Sequence, residues 1–181
     1  MPTLPSPYLA KRFNAMLRIF DSLSDIDFRC LMDVYEEGNR INGKKYYPNY
    51  YENLQIIYAE QDFYAYLVEF FKEPTARYAV WIYECRYAAA LRIERYHDGL
   101  LLNALETAPA MRRSGFAGKL VCAVIEHLQT SGKGVLYSHV NKNDVFSLKV
   151  HLSCGFRIVS DQAVYLDGTV RSDSVTLAVN Y

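Results

Sequence analysis

Between Thr107 and Leu120 the chain reads Thr-Ala-Pro-Ala-Met-Arg-Arg-Ser-Gly-Phe-Ala-Gly-Lys-Leu. Pro109 ends an extended run. The glycine-containing turn after it opens at once into a segment with Leu120, Val121, Val124, Ile125 and Leu128 on one helical stripe. Such a turn presents unpaired backbone N–H groups at the positive end of a helix, the arrangement that holds a phosphate or pyrophosphate. Gly115 lets an anion approach the backbone closely, and Arg112 and Arg113 add local positive charge. Two familiar phosphate loops are excluded. Leu120, not Ser or Thr, follows Gly118-Lys119, and Arg113 stands where a P-loop needs its first glycine; Gly115 and Gly118 alone do not make a dinucleotide fingerprint.

Histidine is the side chain most readily used for proton transfer near neutral pH, and the chain has four. His127 lies among Glu126, Gln129 and Thr130 and reads as solvated surface, and His97 reads as a turn residue. His139, near the end of an apolar run, and His151 leave two readings open: proton-transfer groups, or half-buried rings satisfied by the backbone. The cysteines Cys30, Cys85, Cys122 and Cys154 form no CxxC or Cys/His cluster, so they read as small buried hydrophobes of a reducing compartment, and no metal is expected.

The elements that must position these groups follow from periodicity and breakers. After a lead containing Pro2, Pro5 and Pro7, Met16, Arg18 and Phe20 alternate with Leu17 and Ile19 as a first strand. Ser24 or Asp25 caps a helix carrying Phe28, Leu31, Met32 and Tyr35, which Gly38 and the 39–43 stretch break. A tyrosine-rich loop with Pro48 leads into a second helix over 52–71, stopped by Pro74. Strands are expected over 78–83, 87–95 and 100–107, the last two joined by a His97-Asp98-Gly99 turn in which glycine supplies the positive φ. A helix from Gly115 to the Ser131–Gly134 break, a strand over 135–140, a short helix over 144–153 and strands over 156–160 and 174–179 complete the chain. The order β-α-α-β-β-β-α-β-α-β-β is an α+β fold, one domain over 1–181, not a doubly wound nucleotide fold.

The loop resembles the coenzyme A loop of the Gcn5-related N-acetyltransferases: Arg or Gln, two residues, Gly, one residue, Gly or Ala. Arg112, Gly115 and Ala117 stand in those places. Asn143 to Phe156 looks like a second segment of that family, with a polar helix start, a small residue at Ser147 and Gly155-Phe156 launching the next strand. The resemblance covers residues 78 to 160 well. It implies a mostly antiparallel mixed sheet of about seven strands flanked by about four helices, with acetyl-CoA as co-substrate. It also implies a site. Arg112, Arg113, Ser114, Gly115, Phe116, Ala117 and Gly118 would hold the pyrophosphate, and Leu105 and Thr107 would offer backbone to pantetheine and thioester. Asn143 or Asp144 would touch the lower arm.

By the same resemblance His151 stands where the family often has a tyrosine acid, a departure from the pattern, and His139 where some members have a glutamate base. The implied reaction is direct transfer of acetyl from the thioester to a primary amine of a small molecule or peptide, with His139 as base and His151 as acid. Glu106 is a second base candidate, although strand alternation turns it away from Leu105 and Thr107. The helices over 26–72 would wall the acceptor side, with Tyr46, Tyr47, Tyr50, Tyr51, Glu36, Glu37, Glu52 and Glu60 as candidates to grip an amine; ordinary packing and solvation explain these residues equally well.

Lys plus Arg and Asp plus Glu are 20 each, so no global field draws the chain to nucleic acid or an anionic membrane, and any anion must be gripped locally. No apolar run approaches the ~20 residues of a membrane span and no leader is evident, which reads as cytoplasmic. A homodimer is compatible with the sequence. Two other readings stay open: a non-catalytic acyl-CoA sensor or interaction module, and a phosphate-binding protein unrelated to coenzyme A.

Overall fold

The alternation at the start of the chain forms β1 (Met16–Phe20), which pairs antiparallel with β2 (Arg77–Tyr83). The computed structural model describes residues 15–181, so the expected lead with Pro2, Pro5 and Pro7 lies outside the described residues. β2 continues through β3 (Arg86–Tyr96) and β4 (Gly99–Thr107) as an antiparallel meander. β5 (Val135–Asn141) then runs parallel to β4, and β9 (Ser174–Asn180) and β6 (Arg157–Ser160) complete a seven-stranded sheet in the order β1-β2-β3-β4-β5-β9-β6. The fold class is the mixed α and β arrangement expected.

Period-two alternation sorts the sheet residues between two cores. On one face Ala79, Leu91, Ile93, Leu102, Leu136 and Leu177 pack under α4 (Phe116–Ser131), whose stripe of Leu120, Val121, Val124 and Ile125 is buried. On the other, Tyr78, Val80 and Ala90 meet Leu31, Val34, Leu67 and Phe70 from α1 (Phe28–Val34) and α3 (Glu52–Phe70). α5 (Val145–Ser153) starts at an Asp144 cap whose Oδ1 accepts from Ser147 N at 2.9 Å.

The first helix departs from expectation. Its cap is Asp27, which accepts from Cys30 N at 3.0 Å, not Ser24 or Asp25; those two lie in a 3-10 turn capped by Ser22. Nor does Gly38 end the helical region: α2 (Glu36–Tyr46) runs through Gly38 and Gly43. The reason is packing. A Cβ on Gly43 would stand 2.5 Å from the Gln55 carbonyl oxygen, so this glycine lets α2 close onto α3. Gln55 Nε2 in turn donates to the carbonyls of Tyr47 (3.1 Å) and Tyr50 (2.8 Å), ordering the loop between the helices.

The β3–β4 turn also differs in detail. The positive φ falls on His97 (46°), whereas Gly99 is the first residue of β4 and has no room for a Cβ against the Val135 carbonyl. A small ribbon, β7 (Ala163–Val164) with β8 (Val170–Arg171), was not foreseen; its turn is set by Gly168 (φ 82°) and by Asp167 accepting from Thr169 N at 2.8 Å. All four cysteines are free, but Cys85 is exposed in the β2–β3 turn rather than buried.

Candidate active site

β4 and β5 are paired only where Leu100, Leu101 and Leu102 face Leu136, Tyr137 and Ser138. Beyond that the two parallel strands part. The cause is local to β4: Ala104 takes a positive φ of 51°, the register against β3 shifts there, and Tyr35 Oη fixes the distortion by donating to the Ala104 carbonyl at 2.7 Å. The gap is a cavity of about 180 Å³ lined by Leu102 to Leu105 on one strand, Ser138 and His139 on the other, and Asp144, Ser147 and His151 from the start of α5. Side chains of both sheet faces reach it, because successive residues of β5 point to opposite sides.

On the α5 side His151 is almost fully buried, at 1% exposure. Its Nδ1 lies 2.8 Å from the Ser147 carbonyl, which can only accept, so Nδ1 carries the proton. Nε2 lies 3.0 Å from Ser138 Oγ and accepts from that hydroxyl. Burial holds the imidazole pKa below its usual range, opposed by the Ser147 bond and the Asp144 charge. At neutral pH the ring is uncharged, and Nε2 has no proton of its own to give.

On the other side Thr176 Oγ1 donates to the Gln162 carbonyl at 2.8 Å, so it must accept from His139 Nδ1, 3.1 Å away. This leaves the lone pair of His139 Nε2 without a partner. The nearby Val164 carbonyl is an acceptor too and is already engaged by Tyr96 Oη at 2.7 Å. Burial lowers the His139 pKa, with the Val164 carbonyl partly opposing it. Tyr96 and Tyr165 wall the ring at 5.4 and 5.0 Å. The result is a neutral imidazole whose Nδ1 is oriented by Thr176 and whose Nε2 is buried without a hydrogen-bond partner.

The loop at the N-terminus of α4 is exposed from Arg112 to Gly115. Arg113 and Gly115 both take left-handed backbone, at φ 66° and 75°. The first bond of α4 runs from Lys119 N to the Gly115 carbonyl at 3.1 Å, so the N–H groups of Phe116, Ala117 and Gly118 precede any intrahelical partner. Neither Gly115 nor Gly118 has a heavy atom within 4 Å of where a Cβ would sit. Positive dipole, free N–H groups and open space therefore coincide. Phe116 is buried against Tyr83 at a ring separation of 4.9 Å and anchors the turn.

This geometry has clear parallels among solved structures. An acetyltransferase from Streptococcus agalactiae superposes with a TM-score of 0.60 at 14% identity, over 91% of this chain and 96% of that one. The PaiA N-acetyltransferase of Thermoplasma acidophilum, solved with coenzyme A, gives 0.59 at 11% identity over 92% and 99%. The chain has the Gcn5-related N-acetyltransferase fold. A further acetyltransferase of this kind from Elizabethkingia anophelis, solved with acetyl-CoA bound, gives 0.58 at 12% identity over 93% and 99%. The FR47-like protein family matches residues 82–166, the stretch that carries the α4 loop, the parted strands and α5. A comparison with curated protein sequences gives no significant match.

Within this acetyltransferase fold the cavity gathers His139, His151, Leu105 and Asp144 from the expected site residues. Thr107 does not line it and is paired with Ala89 of β3. Asn143 lies in the turn before α5, its N–H held by Asn141 Oδ1 at 2.9 Å. Glu106 is not among the lining residues and lies 4.0 Å from Arg112 Nη2; desolvation raises its carboxyl pKa, the charges of Glu37 and Asp144 add to the rise, and Arg112 opposes it. Arg112 also pairs with Glu37 of α2 at 2.5 Å, which ties the α4 loop to the helices across the cleft.

None of the other acceptor-side candidates lines the cavity. Tyr47 donates to Asp62 at 2.6 Å and packs edge-on with Tyr50 and at a tilt with Tyr58, Glu36 pairs with Arg40 at 2.8 Å, and Tyr46 and Tyr51 are exposed. His97 and His127 are exposed, as expected. Sequence reasoning missed Ser138 and Thr176. Ser138 left a faint trace, a polar residue at the buried phase of Leu136, Ser138 and Val140. Thr176 left none, because its place opposite His139 depends on β9 inserting between β5 and β6.

No helix among the described residues is long and apolar enough to cross a membrane. No cluster among them is arranged to hold a metal.

Proposed function

We propose that the chain is an acetyl-CoA-dependent N-acetyltransferase acting on a primary amine of a small molecule or peptide, built as one cytoplasmic domain. The observation that carries this is the parting of β4 and β5 beside an α4 N-terminus whose N–H groups are free. In this reading the 112–118 loop holds the pyrophosphate, the exposed backbone of Leu105 lines the path of the pantetheine arm, and Thr107, Asn143 and Asp144 stand at its margins. The thioester lies in the cavity between His139 and His151.

Transfer needs a neutral amine, a polarised carbonyl and a proton for the departing sulfur. His139 Nε2 takes the proton that the amine loses as its nitrogen bonds to the acetyl carbon. The C–S bond breaks and the thiolate takes a proton from water. His151 gives it instead only after first gaining a solvent proton on Nε2, since its resting tautomer carries the hydrogen on Nδ1. Glu106 remains a base candidate of lower rank, because it lies beside Arg112 and does not line the cavity.

The test is thiol release from acetyl-CoA across a panel of amines and peptides. Amine-dependent release that falls in His139→Ala supports the reading. Tight acetyl-CoA binding with no amine-dependent release would instead favour a non-catalytic acyl-CoA sensor.

A further inference from the structure

We propose that Ser138 is a nucleophile: its Oγ accepts the acetyl group from a thioester in the cavity, with His151 as base, and water then discharges the acetyl-serine. This is a thioester hydrolase activity beside amine transfer, and it rests on the acetyl-CoA reading above.

Ser138 occupies a buried position of β5 between Leu136 and Val140, where an apolar residue would satisfy the core without a polar debt. Its hydroxyl meets His151 Nε2 at 3.0 Å, and His151 Nδ1 is oriented by the Ser147 carbonyl at 2.8 Å. Nucleophile, base and orienting acceptor thus stand in hydrogen-bond sequence, the arrangement that activates a hydroxyl. A buried Ser–His bond could be structural alone. What distinguishes this one is that both residues line the cavity together with Asp144, whose charge favours the imidazolium that attack would create.

The protons balance without a further reagent. As Ser138 Oγ bonds to the acetyl carbon, its proton moves to His151 Nε2. The C–S bond then breaks and Nε2 returns that proton to the sulfur, so coenzyme A leaves as the thiol. For discharge, water attacks the ester carbon and gives a proton to Nε2, the same proton passes to Ser138 Oγ as acetic acid departs, and the acid then loses its remaining proton to solvent. The scheme also supplies what His151 lacks at rest: it becomes an acid toward sulfur by first taking the Ser138 proton.

The experiment combines acid-quenched intact-mass analysis and thiol release with acetyl-CoA and no amine present, on wild type, Ser138→Ala and Ser138→Cys, with acetyl-CoA binding measured by calorimetry and folding by thermal melts. The expected result is an acetyl group on Ser138, amine-independent thiol release that drops by roughly 100-fold or more in Ser138→Ala, and retained binding. Ser138→Cys, which keeps a nucleophile in place, should carry the acetyl group as a thioester. Unchanged thiol release in a folded Ser138→Ala that still binds acetyl-CoA overturns this inference alone. Absence of acetyl-CoA binding in wild type removes the cofactor reading and this inference together.

Discussion

His139 and Thr176 face each other directly across β5 and β9, and the 3.1 Å bond between His139 Nδ1 and Thr176 Oγ1 decides which ring nitrogen is left free. Because Thr176 spends its own hydrogen on Gln162, it can only accept, and Nε2 is left as the basic atom. His139→Ala should lower kcat for amine acetylation by roughly 100-fold while leaving acetyl-CoA affinity nearly unchanged. Thr176→Val, which removes the orienting acceptor and keeps the shape, should lower kcat with less effect on KM. Steady-state kinetics on both variants check this, and wild-type rates in both would return His139 to a packing role.

The pH dependence follows from the same burial. Burial lowers the pKa of His139, so the base stays unprotonated at neutral pH and is lost only in acid. The acidic limb of kcat/KM should therefore lie below the ordinary histidine value of about 6.5. A limb above it would assign the base to another group.

Stability should carry the same sign. His139 and His151 both have folded-state pKa values lowered by burial, so the unfolded chain binds protons more readily. Their contribution is complete above the unfolded value of about 6.5 and is lost as the pH falls through the lower folded values. Thermal melts across this range should show Tm falling toward acid, and a His139→Asn, His151→Gln double variant should show a shallower fall.

At the α4 loop, Gly115→Ala should cost about 1–2 kcal/mol through its left-handed backbone alone, since no atom obstructs the new methyl. Gly115→Glu adds a negative charge where an anion is expected and should abolish acetyl-CoA binding while the chain stays folded. Calorimetry and melts separate the two effects; unchanged affinity in Gly115→Glu would move the pyrophosphate site elsewhere.

Arg112 is held by Glu37 in a half-exposed pair, the kind that contributes about 0–1 kcal/mol. Releasing it in Glu37→Gln should raise coenzyme A affinity by at most about fivefold and steepen its salt dependence. Arg112→Ala should weaken binding. A loss of affinity in Glu37→Gln would show that the carboxylate supports the loop instead of competing for its arginine.

The parts of this molecule legible in its sequence were those whose cause is local. The α4 loop was legible because a glycine-containing turn and an apolar stripe are adjacent in the chain, and the meander of β2 to β4 because alternation and turn residues sit within it. What escaped depended on contacts distant in sequence. Gly43 reads as a breaker until α3 packs against it, and there a methyl group would collide with the Gln55 carbonyl. Gly99 reads as the turn residue until β5 arrives beside it. His139 and His151 were recognisable as candidates, but their tautomers are set by Thr176, Ser147 and Ser138, whose positions only the sheet order and the α5 cap determine.

The central claim is that the parted strands and the α4 loop form a site for coenzyme A thioesters. Calorimetric titration of the purified protein with acetyl-CoA, coenzyme A and ATP side by side tests it most directly. Selective binding of the first two is the predicted result, whereas no binding of either, or equal binding of ATP, would contradict it.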